Sequence, residues 1–241
     1  MHTLMTFFRD LIKALTAPGA PLPDGSCQIA RSLHRVTEVV AGVTEARDAG
    51  KAFFTEKRLL ALLETIARRS AYLALVIEHP PLLPRLANLM GASAWAADYL
   101  TRHPLLLDEL LDARTLFAEP DWNAWRSELL RQLAQRPDDA EHQMDVLRHF
   151  QHAQAFRLLV QDVAGHLTVE RLADHLSALA DTILDATVAH CWRMMRGPDA
   201  PPPRFAVIGY GKLGGKELGY ASDLDLVFLY DDPDERAQEI Y

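Results

Sequence analysis

The chain has 241 residues, enough for one or two domains with a substantial core, and 49% hydrophobic with 24% charged residues is ordinary for a soluble globular protein. A formal net charge of −8 argues against a general nucleic-acid binder, which would carry a basic stripe. Cys27 and Cys191 are the only cysteines and have no metal-like spacing, so a reduced, cytoplasmic setting with both thiols buried or inert is expected.

At the N-terminus Phe7, Phe8, Leu11, Ile12 and Leu15 fall at helical spacing, interrupted by Arg9, Asp10 and Lys13. That mixture is neither a signal sequence nor a membrane span, and it reads as a surface or docking helix. Ala17–Pro23 is rich in proline and reads as a linker, so residues 1–27 form a first segment.

Residues 28–196 read as a helical region. Leu59, Leu62, Leu63 and Ile66 make one apolar stripe, and Leu73, Val76 and Ile77 another. Ser70 and Ser93 have the form of N-caps, and Gly91 is placed to end the helix before Ser93. Two helices end at His-Pro, at His79-Pro80 and His103-Pro104, each ahead of a leucine-rich helix whose first turn suits proline. A histidine near a helix C-terminus is favoured by the dipole, which accounts for His79 and His103 without a metal. Trp122, Trp125, Leu129, Leu130 and Leu133 form an amphipathic helix that stops at Arg136-Pro137. A long helix follows over Asp138–Gly165, with Met144, Leu147, Phe150 and Leu158 among its apolar positions and His142, His149 and His152 on mixed faces. The last long helix, Leu172–Met195, carries a stripe of Leu172, Leu176, Leu179, Ile183 and Thr187. Asp181 and Asp185 sit four apart on it, the pattern of a solvated acidic face.

Residues 197–203, G-P-D-A-P-P-P, read as a stiff linker and as the boundary before the final segment, 204–241. That segment opens with a short apolar strand, Phe205–Ile208, and breaks into a turn holding Gly209, Gly211, Gly214 and Gly215 with Lys212 and Lys216. A second apolar strand, Leu224–Tyr230, has Asp223 and Asp225 at its mouth. Side chains two apart in a strand share a face, so this spacing predicts that the two carboxylates project together near a glycine turn able to hold phosphate. Mg²⁺ takes one or two carboxylates plus substrate phosphates, and the pattern points to nucleotidyl transfer.

Two other readings fit less of the stretch. Ser222 and Asp223 would suit a cap or turn, yet a cap does not require a second aspartate inside an apolar strand. Gly209-x-Gly211-x-x-Gly214 after a strand resembles a dinucleotide fingerprint, with Asp231 or Asp232 as ribose acid, but too few residues separate Gly214 from Ser222 for a crossover helix. A Walker loop fails, because Tyr210 stands where its first glycine belongs and Glu217 where Ser or Thr is required.

The run G-Y-G-K-L-G-G-K-E-L-G-Y-A-S-D-L-D-L-V-F, from Gly209 to Phe228, closely resembles the glutamine synthetase adenylyltransferase family. So do His103–Asp112, Asp174–Ala186 and the stretch from Gln143 to Gly165, and the resemblance covers most of Leu59–Asp232. It implies a mainly α chain in which the helical region is followed by the beginning of an α/β nucleotidyltransferase domain of the polymerase-beta-like fold. Family members have two such domains joined by helices, the first removing AMP from a glutamine synthetase tyrosine by phosphorolysis, the second adding it from ATP. Because the helices precede the motif, this copy resembles the second.

The resemblance implies Asp223 and Asp225 as catalytic, Mg²⁺-binding carboxylates, with Gly211, Lys212, Gly214, Gly215 and Ser222 at the ATP phosphates. In-line attack by the target tyrosine on the α-phosphate would expel pyrophosphate, with Lys212 offsetting its charge. Glutamine synthetase and the PII signal protein are the implied partners, with no nucleic acid and no membrane. A third carboxylate and further strands are expected outside this chain, so the chain alone is expected to be inactive. The remaining alternative is a non-catalytic helical interaction module.

Overall fold

The computed structural model describes residues 49–66, 70–79, 81–231 and 233. The readings made for Met1–Leu15, Ala17–Pro23 and Cys27 lie outside them. The chain divides into two compact units, one ending at Leu116 and the other beginning at Phe117.

The first unit holds helices α1 (Ala49–Ile66), α2 (Ser70–Glu78), α3 (Leu82–Ala92) and α4 (Ala94–Arg102), a 3-10 helix (Pro104–Leu110) and the short α5 (Ala113–Leu116). The stripe Leu59, Leu62, Leu63 and Ile66 is buried, as periodicity predicts, and α1 packs on α3 and α4, where Leu86, Met90 and Leu100 are buried too. Each such leucine contributes about 1.5–3 kcal/mol by leaving water. Ser93 caps α4, its Oγ accepting from the Ala96 N–H at 3.2 Å. Gly91 does not end α3. The helix runs through it to Ala92 and Ser93 is the C-cap, because Gly91 stays at negative φ and the chain turns at the extended serine instead. His103-Pro104 opens a 3-10 helix rather than an α-helix, with Leu106, Leu107 and Leu110 buried.

The second unit begins with three helices: α6 (Trp122–Leu133), α7 (Ala140–Val163) and α8 (Val169–Arg196). Each starts on a side-chain cap, the acceptors being Asp121 to Ala124 N–H, Asp139 to His142 N–H and Thr168 to Arg171 N–H. α7 stops in a Schellman turn: Gly165 takes φ +77°, and the N–H groups of Gly165 and His166 donate to the carbonyls of Asp162 and Gln161, both at 2.9 Å. All three helices pack pairwise. Their shared core holds Leu129, Leu133, Phe150, Ala155, Leu179 and Ala186, flanked by Trp122 and Trp125. On α8 the buried line runs Leu176, Leu179, Thr182, Ala186 and His190, so Thr187 of the expected stripe lies beside the seam and not in it. Cys191 is exposed, so of the expectation that the thiols are buried or inert, burial does not hold for it: it falls outside the buried line of α8.

After α8 the Pro-rich stretch is held back on the helix by the Trp192 indole N–H, which donates to the Pro201 carbonyl at 2.7 Å. Two strands, β1 (Phe205–Tyr210) and β2 (Asp225–Tyr230), pair antiparallel from Phe205↔Tyr230 to Tyr210↔Asp225, around a single turn of helix, α9 (Gly211–Gly214). Arg204 and Asp231 close the open end, through an N–H···O=C bond of 2.9 Å and an ion pair of 2.6 Å. A second cluster, Leu158, Leu176, Ala180, Leu213 and Leu218, ties this hairpin to α7 and α8.

Candidate functional site

The two faces of the hairpin differ. Residues opposite one another across the ladder share a face, so Phe205, Val207, Gly209, Leu226 and Phe228 lie on one side, and Ala206, Ile208, Tyr210, Asp225, Val227 and Leu229 on the other. The first side lies along α8. There Val207, Gly209 and Leu213 share a cavity of about 590 Å³ with Asp181, Asp185 and Leu184. The second side is open, with Ile208, Tyr210, Val227 and Leu229 all exposed. Asp225 stands on that open side.

Asp225 begins β2, and its carboxylate lies where a side chain on Gly211 would begin, a glycine that takes φ +53°. Any side chain at Gly211 would strike that carboxylate, so the glycine is required both for its backbone angle and for the approach. Gly214 is constrained by close approach alone, since a Cβ there would stand 2.5 Å from the Gly209 carbonyl oxygen. The turn ends as a second Schellman motif. Lys216 N–H donates to Leu213 at 3.1 Å and Glu217 N–H to Lys212 at 2.8 Å, while Gly215 N–H donates to Gly211 at 3.0 Å. Lys216 occupies the left-handed position of that motif at φ +54°, where glycine is normal, a strain of about 1–2 kcal/mol.

Leu213, between Lys212 and Gly214, is buried and anchors the turn, which leaves Gly211, Lys212, Gly214 and Gly215 exposed around it. Ser222 closes the next turn: its Oγ accepts from the Gly219 N–H at 2.9 Å and its own N–H donates to the Gly219 carbonyl at 3.1 Å. The hydroxyl proton of Ser222 is thereby left to donate elsewhere. Asp223 is exposed and lies in the irregular link just before β2, so it has no partner in the register, whereas Asp225 does. Among the described residues no ion pair engages either aspartate, and no three His, Cys, Asp or Glu side chains gather into a metal-holding group. Asp223 lies outside the strand, so alternation does not set it on the Asp225 face. An accessible Asp225 beside an exposed glycine turn, with Asp223 exposed two residues before it, suits the hard-oxygen donor set of Mg²⁺ with phosphate.

Asp181 and Asp185 are on the opposite side of the hairpin from Asp225. They are exposed, but not simply solvated: burial, then the neighbouring Asp185 charge, raises the Asp181 carboxyl above its ordinary range, and Lys216 partly counters this. Sequence reasoning missed Tyr220 and Asp162. The Tyr220 hydroxyl donates to Asp162 Oδ2 at 3.0 Å, across 58 residues. No local spacing signals a pair so far apart.

The antiparallel pairing removes the dinucleotide alternative, because that fold needs a parallel strand pair with a helical crossover and here one helical turn joins antiparallel strands. Among the described residues no helix is long and apolar enough to cross a membrane.

Comparison with known proteins agrees with the motif. The family described as glutamate-ammonia ligase adenylyltransferase matches residues 83–240. A bifunctional glutamine synthetase adenylyltransferase/adenylyl-removing enzyme of Chromobacterium violaceum is 54% identical over 217 residues, covering 90% of this chain and 24% of the relative. The enzymes of that name from Aromatoleum aromaticum and Neisseria meningitidis serogroup B are 56% and 57% identical, over 87% and 78% of this chain and 22% and 21% of their own lengths. The chain thus spans about a quarter of the length of the curated relatives it matches. It belongs to the glutamate-ammonia ligase adenylyltransferase family.

Proposed function

We propose that this chain is the central part of a Mg²⁺-dependent enzyme that transfers AMP from ATP to a tyrosine of glutamine synthetase. In this reading residues 28–196 are the helices between two catalytic halves, 197–203 the linker, and 204–241 the start of the second, adenylylating nucleotidyltransferase domain. The cytoplasm is its setting, and the PII signal protein its regulator.

One observation carries the reading. The Asp225 carboxylate lies against the glycine turn, on the open side of the hairpin, so a bound triphosphate and a carboxylate-held cation would be neighbours. Asp223 and Asp225 would hold Mg²⁺, which when bound would offset charge on the phosphates as pyrophosphate leaves. Gly211 makes room for the Asp225 carboxylate and Gly214 for the Gly209 carbonyl, and both glycines are exposed on the turn where the phosphates would lie. Lys212, exposed on the turn, supplies a positive charge to the departing pyrophosphate. Ser222 retains a hydroxyl proton for a phosphate oxygen. Gly215, its N–H already donated to Gly211, contributes space rather than a hydrogen bond.

The test is transfer of label from ATP, marked at the α-phosphate, to glutamine synthetase by the full-length protein. The intact protein should label its target, and Asp223→Asn or Asp225→Asn should stop labelling while leaving circular dichroism unchanged, because an amide cannot replace a metal-bound carboxylate. Labelling by either variant within a few-fold of wild type would reject the metal role.

A further inference from the structure

We infer that Tyr220 and Asp162 form a latch through which α7 positions the carboxylate-bearing link, making both of them positioning residues for AMP transfer; the inference rests on Asp223 and Asp225 being the metal ligands. Between Gly215 and Asp225 the chain has no regular structure, yet it must present Asp223 and Asp225 in one arrangement. A metal site tolerates only about 0.5 Å of ligand displacement before it loses function. Two anchors precede the carboxylates. Leu218 is buried among Leu158, Leu176 and Ala180. Two residues on, the half-buried Tyr220 sends its hydroxyl to Asp162. The turn Gly219–Ser222, closed on itself by the Ser222 hydroxyl and N–H, then passes that placement directly to Asp223.

The acceptor end is equally fixed. Asp162 sits in the last turn of α7, and its carbonyl takes the N–H of Gly165 in the Schellman turn. A carboxylate at a helix C-terminus faces the negative end of the dipole, so the helix itself gains nothing from an aspartate there. The Tyr220 hydroxyl gives that carboxylate its partner. Burial and the Asp162 charge together raise the Tyr220 phenol well above its ordinary range, which keeps it a donor at every working pH.

The test uses the full-length protein with saturating glutamine synthetase, varying ATP and Mg²⁺. A hydrogen bond to a charged group is worth about a tenfold factor or more. Tyr220→Phe should therefore lower kcat about tenfold, leave KM for ATP within about twofold, and raise the Mg²⁺ concentration needed for half-maximal rate. Asp162→Ala should match it. Asp162→Asn keeps an acceptor oxygen and should restore the rate to within about threefold of wild type. The double variant Tyr220→Phe/Asp162→Ala should be no worse than the poorer single one, since both remove the same contact. If Tyr220→Phe does not fold, the contrast between Asp162→Ala and Asp162→Asn decides alone. Additive losses, equal loss in Asp162→Asn and Asp162→Ala, or a wild-type kcat and Mg²⁺ requirement in Tyr220→Phe would overturn the latch while an inert Asp223→Asn control leaves the metal reading standing. Transfer that survives in the Asp223→Asn control would overturn the metal reading, and the latch with it.

Discussion

The bundle α6–α8 and the hairpin β1–α9–β2 are built on opposite terms, although they belong to one compact unit. Every helix of the bundle starts on a side-chain cap, α7 ends on a glycine suited to its angle, and the apolar residues face one another. Local preference and packing agree over most of it, which is what makes a segment fold to one structure. The hairpin breaks local rules repeatedly. It places an aspartate in an apolar strand, a lysine at a left-handed angle and two glycines where nothing larger fits, and it leaves Ile208, Val227 and Leu229 exposed. Departures of this kind concentrate where a chain serves chemistry rather than stability. The hairpin is therefore held from one side only, by Leu213, Leu218, Leu226 and the Tyr220 hydroxyl.

This contrast can be broken by substitution. Leu129 and Phe156 are fully buried, and Leu129→Ala should cost about 2–5 kcal/mol and Phe156→Ala about 3–5 kcal/mol in chemical denaturation. Gly214→Ala should cost less in stability, about 1–3 kcal/mol, because the hairpin can shift away from the Gly209 carbonyl. Its effect on AMP transfer by the full-length protein should be much larger than that cost explains. A Gly214→Ala protein with normal transfer would show that the turn is only structural. Ile208→Ser, on the open face, should change stability by no more than about 0.5 kcal/mol, and a loss of several kcal/mol would mean that this face is covered.

Smaller effects sharpen the same difference. Lys216→Gly should raise stability by about 1 kcal/mol by relieving the left-handed lysine. Asp181→Asn should raise it slightly at neutral pH. The folded-state pKa of Asp181 is elevated, so its ionised form costs stability above that pKa and the cost disappears as pH falls below the ordinary carboxylate range. The gain from Asp181→Asn should therefore vanish in acid; a gain that persisted there would rule out ionisation as its cause. Hydrogen exchange should also be faster over Phe205–Tyr230 than around Leu147 and Leu179, because one-sided packing opens at lower free energy.

Much of this was legible in the amino-acid order. The stripe from Leu59 to Ile66, the Ser93 cap, the long helices and two strands around a glycine turn follow from periodicity and turn chemistry. The motif from Gly209 to Phe228 named the family. What escaped was set by distance or by angle. Gly91 has the composition of a helix stop, but Ser93, extended and shared between two helices, takes that place. Alternation located Asp225 on a face, yet only the register against Tyr210 shows that this face points away from α8 and from Asp181 and Asp185. The Tyr220–Asp162 bond joins segments 58 residues apart, beyond any local pattern.

In the proposed function Asp223 and Asp225, not the carboxylates on α8, hold the cation. Substoichiometric Mn²⁺ added to isotopically labelled protein tests it most directly, since the ion erases amide signals near its site. Signals of Gly211–Gly215 and of Ser222–Leu226 should vanish first, those of α7 near Phe150 should persist, and the double variant Asp223→Asn/Asp225→Asn should abolish the effect. Broadening centred on Asp181 and Asp185, or broadening that survives the double substitution, would contradict the account.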